Sequence, residues 1–384
     1  MDANPLKYPF PPSGALARPR AGSWPAGLRA GSVPTRCLAR RAHALGKPGP
    51  GGAVKAHIME LDMKTLILFT ALAASAAAQN GYQCFVTGNS HDVQTKTSFG
   101  LGLMGGGTDL DEAFRWMVAK SGGGDFVILR ASGTDAYNAY VAGLGKLNSV
   151  TTIVIKDRSA ASDPVVLEKV RNAEALFFAG GDQANYVKMW RDTPLAEAIQ
   201  GLVKRNVPIG GTSAGLAILG QYYFSALLDT VQSPAALGDP YDSKVTVGRD
   251  FLSLPYMQSA ITDTHFVKRD RLGRTIAFLA RIVQDGWAPK ARAIAVDEKN
   301  AVLVEFDGRA FLVGEGAAYF FETTRKPEAA RPKTPLTLRD VEVYRIRKDS
   351  KFDLASWKGT GGTAYAISAV NGVLSSTQAG GGIY

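Results

Sequence analysis

From residue 83 onward, short apolar runs rich in β-forming residues alternate with stretches of helical periodicity. Such alternation is typical of βαβ units, in which helices join parallel strands and cover the sheet. The sequence therefore predicts an α/β fold with a mostly parallel sheet sandwiched between helices, in the manner of flavodoxin-like folds. The predicted strands are Gln83–Thr87, Phe126–Arg130, Thr151–Ile155, Ala175–Phe178, Val207–Ile209, Ser259–Thr262 and Ala293–Val296.

Helices are predicted between these strands from the spacing of apolar residues. They cover Leu110–Lys120, Pro164–Ala173, Leu195–Arg205, Ala214–Leu219 and Arg271–Gln284. The last of them carries one apolar stripe at helical spacing, which predicts a face packed on the core. That stripe contains Leu272, Ile276, Leu279 and Val283.

The pattern becomes antiparallel after residue 293. Asp307-Gly308 lies between two alternating apolar runs, Val302–Phe306 and Ala310–Val313, and predicts a tight hairpin. One further strand is predicted at Val341–Ile346. We therefore expect one α/β domain over residues 79–325 and a β-containing C-terminal extension over residues 326–384 that packs on it.

The net charge of +10 is concentrated at the N-terminus. Residues 1–78 contain ten basic and three acidic side chains, so the remaining chain is nearly balanced. A nucleic-acid-binding surface would need a basic patch on the folded part, and none is expected there. Cys37 and Cys84 are the only two cysteines, too few for a disulfide framework or a zinc cluster.

Two segments of different character precede the α/β pattern. Residues 1–62 are rich in Pro, Gly, Ala and Arg, and they are interpreted as a disordered extension or as the product of a start codon assigned too far upstream. Residues 63–78 have the layout of a secretory signal peptide, with a basic start, a short apolar run and small residues up to Ala78. An organelle-targeting presequence and a buried N-terminal helix are the alternatives. Cleavage near Ala78 would place the mature chain outside the cell or in the periplasm, without stable membrane insertion.

The most informative motif is Gly211-Thr212-Ser213-Ala214-Gly215, which fits G-x-S-x-G between a predicted strand and a predicted helix. A turn this tight requires small flanking residues and presents the serine hydroxyl at the carboxyl edge of the sheet. The backbone N–H of Ala214 and the positive end of the helix could then stabilise an oxyanion. A structural glycine–serine turn is the alternative interpretation.

A serine nucleophile needs a base, and the chain after residue 78 has two histidines. His91 and His265 each follow a predicted strand, so either could lie at the carboxyl edge where open α/β sheets form their sites. Position alone does not choose between them.

Four motifs together resemble the cyanophycinase-like serine peptidases of family S51, relatives of aspartyl dipeptidases on a glutamine-amidotransferase-like α/β fold. The resemblance covers roughly residues 83–320. In chain order, the motifs are residues 179–183 (AGGDQ), 210–215 (GGTSAG), 263–274 (DTHFVKRDRLGR) and 295–298 (AVDE).

This resemblance implies a role for each matched residue. Ser213 would be the nucleophile, His265 its general base and Glu298 the acid that orients His265. Asp297 is the rival acid, and if both lay in a strand only one could face the site. Gly181 would complete an oxyanion hole with the N–H of Ala214; the alternative is that Gly180-Gly181 forms only a turn.

The resemblance also implies a substrate. Cyanophycin has an aspartate backbone with arginines attached through its side chains, and family members release β-aspartyl-arginine from it. The family's substrate residues map here onto Gln183, Asp263, Arg269, Arg271 and Arg274, and arginine forks suit carboxylates. A solvated basic helix start is the alternative for the arginines. Thr264 stands where cyanophycinases usually have glutamine, so an acidic or β-aspartyl peptide is expected rather than cyanophycin itself.

We therefore expect an exported serine-type exopeptidase that acts through an acyl-enzyme. An exported binding protein that kept the fold without catalysis is the alternative. A glutamine amidotransferase would need cysteine in place of Ser213. No metal site and no cofactor are expected. The sequence leaves the oligomeric state open, a homodimer included.

Overall fold

The computed structural model describes residues 81–384. The predicted N-terminal extension and signal peptide, residues 1–78, lie outside the described residues. Within residues 81–384 the strands form two sheets. No helix in this part of the chain has the length and apolar character needed to cross a membrane.

The first sheet has a parallel centre of five adjacent strands. Antiparallel strands extend it on both sides. Its ten strands, in spatial order, are β1 (Tyr82–Gly88), β4 (Ser149–Ile155), β3 (Asp125–Arg130), β5 (Ala175–Phe178), β6 (Ile209–Thr212), β2 (Leu101–Met104), β11 (Asn300–Val304), β12 (Arg309–Gly314), β15 (Lys351–Asp353) and β16 (Lys358–Thr360).

Helices cover both faces of this parallel centre because its strands are apolar on both sides. On β3, Phe126 and Ile128 belong to one core cluster, and Val127 and Leu129 to another. Helices α1 (Asp111–Lys120) and α2 (Ala136–Ala142) pack into the first cluster. The second cluster contains side chains from α3 (Pro164–Arg171), α4 (Gln183–Trp190) and α5 (Pro194–Lys204).

The second sheet has a short parallel part, β7-β9-β10, within a largely antiparallel array. Its eight strands, in spatial order, are β18 (Val373–Ser376), β17 (Thr363–Val370), β14 (Leu338–Ile346), β13 (Ala318–Glu322), β10 (Arg292–Val296), β9 (Ala260–Asp263), β7 (Tyr222–Phe224) and β8 (Val247–Arg249). Helices α6 (Ser233–Gly238) and α7 (Leu272–Gln284) pack on one face, with the predicted stripe of α7 fully in the core. The other face shares a core with the first sheet, where Phe320 and Val302 belong to the same cluster.

The predicted α/β class, with a parallel sheet and a β-rich C-terminal region, is confirmed. Two features were not predicted. The strands divide between two sheets, and the central strand β2 at Leu101–Met104 was missed. The predicted helix Ala214–Leu219 is wrong: only a 3-10 turn at Leu216–Ile218 forms, because the chain enters β7 at Tyr222.

Glu174, just before β5, is a fully buried carboxyl group. Its Oε2 accepts a hydrogen bond from the Asp125 N–H at 2.8 Å, and Oε1 lies 3.2 Å from an Arg205 nitrogen. Burial raises the pKa of Glu174 to about 7, with a smaller contribution from the charge of Asp125, against the opposing hydrogen bond and Arg205. The folded state therefore binds this proton at pH values where the unfolded chain has released it.

Stability should consequently fall as pH rises from about 4.5 to about 7, because the unfolded state releases this proton over that window while the folded state still holds it. The contribution of Glu174 over that window is at most about 3 kcal/mol. Urea unfolding of wild type and Glu174→Gln at pH 5 and pH 7.5 measures it. We expect wild type to lose more stability than the variant, and parallel pH curves would contradict the assignment.

Candidate active site

Ser213 lies in a sharp turn directly after β6, with a positive φ of 52°. The flanking residues Gly211 and Gly215 must be glycines because neighbouring backbone atoms leave no space for a Cβ. A Cβ at Gly215 would lie 2.0 Å from the Phe178 carbonyl oxygen, and one at Gly211 would lie 2.6 Å from the Gly215 backbone. The G-x-S-x-G spacing therefore reflects backbone crowding around a serine held in a strained conformation.

His265 and Glu298 complete a continuous chain of contacts with Ser213. Ser213 Oγ lies 2.7 Å from His265 Nε2, and His265 Nδ1 lies 2.6 Å from Glu298 Oε1. An ionised carboxylate can only accept, so Nδ1 carries the proton and Nε2 is left to accept from the serine hydroxyl. Of the two candidate histidines, the structure brings His265 to Ser213, whereas His91 is exposed and its ring contacts Asn89.

Asp297 has a different environment from Glu298. Its Oδ1 accepts hydrogen bonds from the backbone N–H groups of Val267 and Lys268, both at 3.0 Å. The two acids do not lie in a strand, since β10 ends at Val296 and residues 297–299 turn into β11. This turn directs the Glu298 carboxylate to the His265 ring and the Asp297 carboxylate to the backbone N–H groups of Val267 and Lys268.

The electrostatics suit a neutral imidazole. Burial lowers the pKa of His265, with smaller contributions from Arg269 and Arg271, against the hydrogen bond to Glu298. The hydrogen bond from His265 in turn lowers the pKa of Glu298. At neutral pH the ring is therefore unprotonated at Nε2 and the acid is ionised, as a general base and its orienting group must be.

The turn Gly105–Gly107 after β2 packs directly against His265 and Glu298. The helix α1 that follows has no side-chain cap, and Asp109 accepts a hydrogen bond from Tyr137 Oη at 2.7 Å. A Cβ at Gly106, where φ is +102°, would lie 2.6 Å from His265 Nε2. The turn therefore leaves no space for a side chain beside the imidazole.

Gly106→Ala should therefore displace the imidazole from Ser213 and lower kcat about 100-fold, since misplacement of a catalytic group by about 1 Å costs that much. Steady-state kinetics on the purified variant measures the loss. Gly201→Ala in α5 is the matched control, because a Cβ there meets nothing within 4 Å. Full activity in Gly106→Ala would show that the ring tolerates the added methyl group.

Gly181 and Ala214 both line a cleft next to Ser213. A Cβ at the neighbouring Gly180 would lie 3.5 Å from the Ser213 Cβ, so the loop after β5 lies against the serine turn. Gly181 has a φ of +151°, which favours glycine. In the described part of the chain, neither the Gly181 nor the Ala214 N–H has a backbone acceptor. The predicted help from a helix dipole is wrong, since only a three-residue 3-10 turn follows.

The cleft has a volume of about 350 Å³ and includes several predicted substrate residues. Arg269, Arg271, Gln183 and Thr264 lie along it. Arg271 also donates to the backbone oxygen of Thr264 at 2.8 Å and to its Oγ1 at 2.9 Å. The Thr264 hydroxyl therefore supports an arginine.

Asp263 and Arg274 differ from the prediction, since neither lines the cleft. Both are about 3% exposed, and Arg274 Nε donates to Asp263 Oδ2 at 2.8 Å. Burial alone would raise the pKa of Asp263, but Arg274 and Arg271 reverse this and lower it. Arg274 is on the buried side of α7, so Asp263 and Arg274 form an ion pair in the protein interior and do not face the cleft.

Comparisons with known proteins relate part of this chain to a peptidase family. The model of Peptidase family S51 matches residues 110–237. The chain is similar to a cyanophycinase of Geminocystis herdmanii, 27% identical over 204 residues, which is 52% of this chain and 69% of that protein. One third of the chain thus matches peptidase family S51. The family match and the cyanophycinase relatives support a serine-type peptidase, a hydrolase.

A second family S51 relative is a cyanophycinase of Trichormus variabilis, 25% identical over 211 residues, which covers 53% of this chain and 65% of that protein. Among solved structures, a peptidase from an acI-B1 Actinobacterium is similar at 16% identity with a TM-score of 0.47, covering 68% of this chain and 98% of that one. The family match includes Gly181 and Ser213 but ends before His265 and Glu298. The assignment of His265 and Glu298 to the same site as Ser213 therefore depends on the distances between their side chains.

Proposed function

We propose that this chain is an exported serine-type exopeptidase that hydrolyses aspartyl peptides through Ser213, His265 and Glu298. The observation that carries the proposal is the unbroken contact chain, 2.7 Å from Ser213 Oγ to His265 Nε2 and 2.6 Å from Nδ1 to Glu298. Such a chain moves a proton from the hydroxyl as it attacks, while the acid stabilises the imidazolium that forms.

The reaction has two steps. The hydroxyl oxygen of Ser213 bonds to the substrate carbonyl carbon while its proton passes to His265 Nε2, and the N–H groups of Gly181 and Ala214 stabilise the oxyanion. His265 then protonates the leaving amine as the C–N bond breaks, which leaves an acyl-enzyme. Water, deprotonated by the same histidine, hydrolyses that ester and restores Ser213.

The charges along the cleft support an acidic substrate. Its basic lining residues are Lys188, Arg269 and Arg271. The two acids of the cleft are engaged by the protein: Asp182 accepts from the Ala184 N–H at 2.9 Å, and Asp229 pairs with Lys244 at 2.9 Å. Arg271 also lies 3.6 Å from Asp263 and Arg269 lies 3.9 Å from Glu298. With three cations against two acids along its lining, the cleft still favours a substrate carboxylate over a substrate arginine. This favours aspartyl peptides as a class, with β-aspartyl-arginine as one member to be tested.

The substrate class is tested by profiling the purified protein against β-aspartyl-arginine, α-linked aspartyl dipeptides and the matching asparaginyl dipeptides. We expect kcat/KM for the aspartyl substrates to exceed that for the asparaginyl ones by at least about tenfold, since each good charged hydrogen bond contributes about 1.5–3 kcal/mol. Equal turnover of the aspartyl and asparaginyl substrates would contradict the role of the arginines in binding. If no substrate of either kind were hydrolysed, the proposed function would be wrong.

Export is supported by the sequence of residues 63–78 alone. N-terminal sequencing of the protein recovered from its producing cell tests it. We expect the mature chain to begin near Gln79, and a chain that begins at Met1 would contradict export by this route.

A further inference from the structure

The residues from 265 to 272, here called the arginine segment, connect the triad to the cleft. The segment begins at His265 with a φ of 47°, includes Asp270 with a φ of 46°, and ends at Leu272, the first residue of α7. Two non-glycine residues with positive φ within six positions are costly, so the surrounding contacts must hold this conformation. Arg269 and Arg271 project from the segment into the cleft.

Tyr384, the last residue of the sequence, contacts this segment at three points. Its hydroxyl donates to Asp270 Oδ1 at 2.6 Å and accepts from the Leu272 N–H at 3.2 Å. Its ring meets the Phe266 ring edge to face, with 5.5 Å between the centroids. Tyr384 is not among the residues that line the cleft, so any effect on the reaction passes through the segment.

The contact with Leu272 acts as a helix cap. Arg271 is the N-cap residue of α7, and its side chain makes no cap hydrogen bond. The Tyr384 hydroxyl instead accepts from one of the first N–H groups of the helix, which have no partner within it. Burial raises the pKa of Tyr384, so the hydroxyl stays protonated and can donate to Asp270 while it accepts from Leu272.

Tyr384 is itself anchored from the second sheet. Arg345 of β14 donates from Nη1 to the Tyr384 backbone oxygen at 2.7 Å. The arginine segment is also held from other directions, by Ser233, which hydrogen bonds to the Asp270 carbonyl, and by Asp297. Tyr384 adds further support between Phe266 and Leu272, the part of the segment that carries both cleft arginines.

We propose that Tyr384 is a positioning residue that holds the arginine segment so that Arg269 and Arg271 face the substrate carboxylate. This rests on the proposed function for the identity of the substrate group. The C-terminal β region thereby contributes to substrate binding, although the cleft itself is built from other elements.

Tyr384→Phe tests the proposal because it keeps the ring and removes both hydroxyl contacts. We expect KM for an aspartyl dipeptide to rise about three- to tenfold with kcat within twofold of wild type, and the Leu272 amide to exchange with deuterium at least about fivefold faster. Tyr365→Phe is the matched control, since the buried Tyr365 hydroxyl has no hydrogen-bond partner among the described residues. Asp270→Ala should raise KM similarly, and the double variant should add little to either single change.

A lower melting temperature with unchanged KM and unchanged exchange in the segment would overturn the proposal, because Tyr384 would then be merely structural. The exchange experiment needs no turnover. If wild type hydrolysed no aspartyl substrate, the proposed function would fail, while faster exchange of residues 270–272 in Tyr384→Phe would still support the positioning role and unchanged exchange would refute it.

Discussion

Ser213→Ala is expected to lower kcat for aspartyl-peptide hydrolysis by about 10⁴-fold or more, since loss of a triad nucleophile has effects of that size or larger in serine peptidases. The physical reason is the loss of the hydroxyl placed to attack: Oγ lies 2.7 Å from His265 Nε2, and Ser213 lines the cleft. Single-turnover assays with mass detection of the acyl-enzyme would show both the rate and the covalent intermediate.

The loss of kcat in Ser213→Ala supports the assignment of the nucleophile only if the variant remains folded. Alanine keeps the positive φ of 52° at position 213 and fills less space, so far-UV circular dichroism and melting temperature should stay close to those of wild type. His91→Gln is a useful companion, because the exposed His91 ring hydrogen bonds only to Asn89 among the described residues and its change should leave kcat unaltered. Substantial hydrolysis by folded Ser213→Ala would disprove the nucleophile assignment and favour another group as the attacker.

Glu298→Gln is expected to lower kcat by about 10³- to 10⁴-fold, the range seen when the acid of such a triad becomes an amide. The amide can donate to His265 Nδ1, which favours the tautomer with a proton on Nε2, where it can no longer accept from Ser213. It also removes the negative charge that stabilises the imidazolium. The pH dependence of kcat should change with it, because the hydrogen bond that His265 donates to Glu298 raises the His265 pKa in wild type.

Asp297→Asn is the matched control, one position earlier in the same turn. Its Oδ1 accepts from the Val267 and Lys268 N–H groups, and an asparagine oxygen can still do so. We expect a loss of at most about tenfold in kcat, together with a small decrease in melting temperature. If Asp297→Asn were as damaging as Glu298→Gln, the division of roles between the two acids would be wrong.

Local sequence was sufficient for the elements whose signal is short-range. The strand Ala175–Phe178, the stripe of α7 and the serine turn follow from β-forming runs, helical spacing and the need for small residues around a tight bend. The turn could be recognised because Gly211 and Gly215 are imposed by backbone crowding, which leaves a fixed spacing in the sequence.

Contacts between distant segments were beyond sequence reasoning. Both His91 and His265 follow strands, yet only the tertiary fold brings one of them to Ser213, 52 residues away. Likewise, the turn between β10 and β11 separates the roles of Asp297 and Glu298. Sequence could not show that Asp263 and Arg274 neutralise each other in the interior, because burial is decided by what packs over them.

The sequence by itself determined the α/β class, the β-rich C-terminal region and the nucleophile turn, because each depends on neighbours within a few residues. Only the tertiary structure decided the division into two sheets, the histidine and acid that reach the serine, the closeness of Gly106 to the imidazole and the support from Tyr384. These depend on distances between residues far apart in the chain, and such distances are set by packing of the whole core.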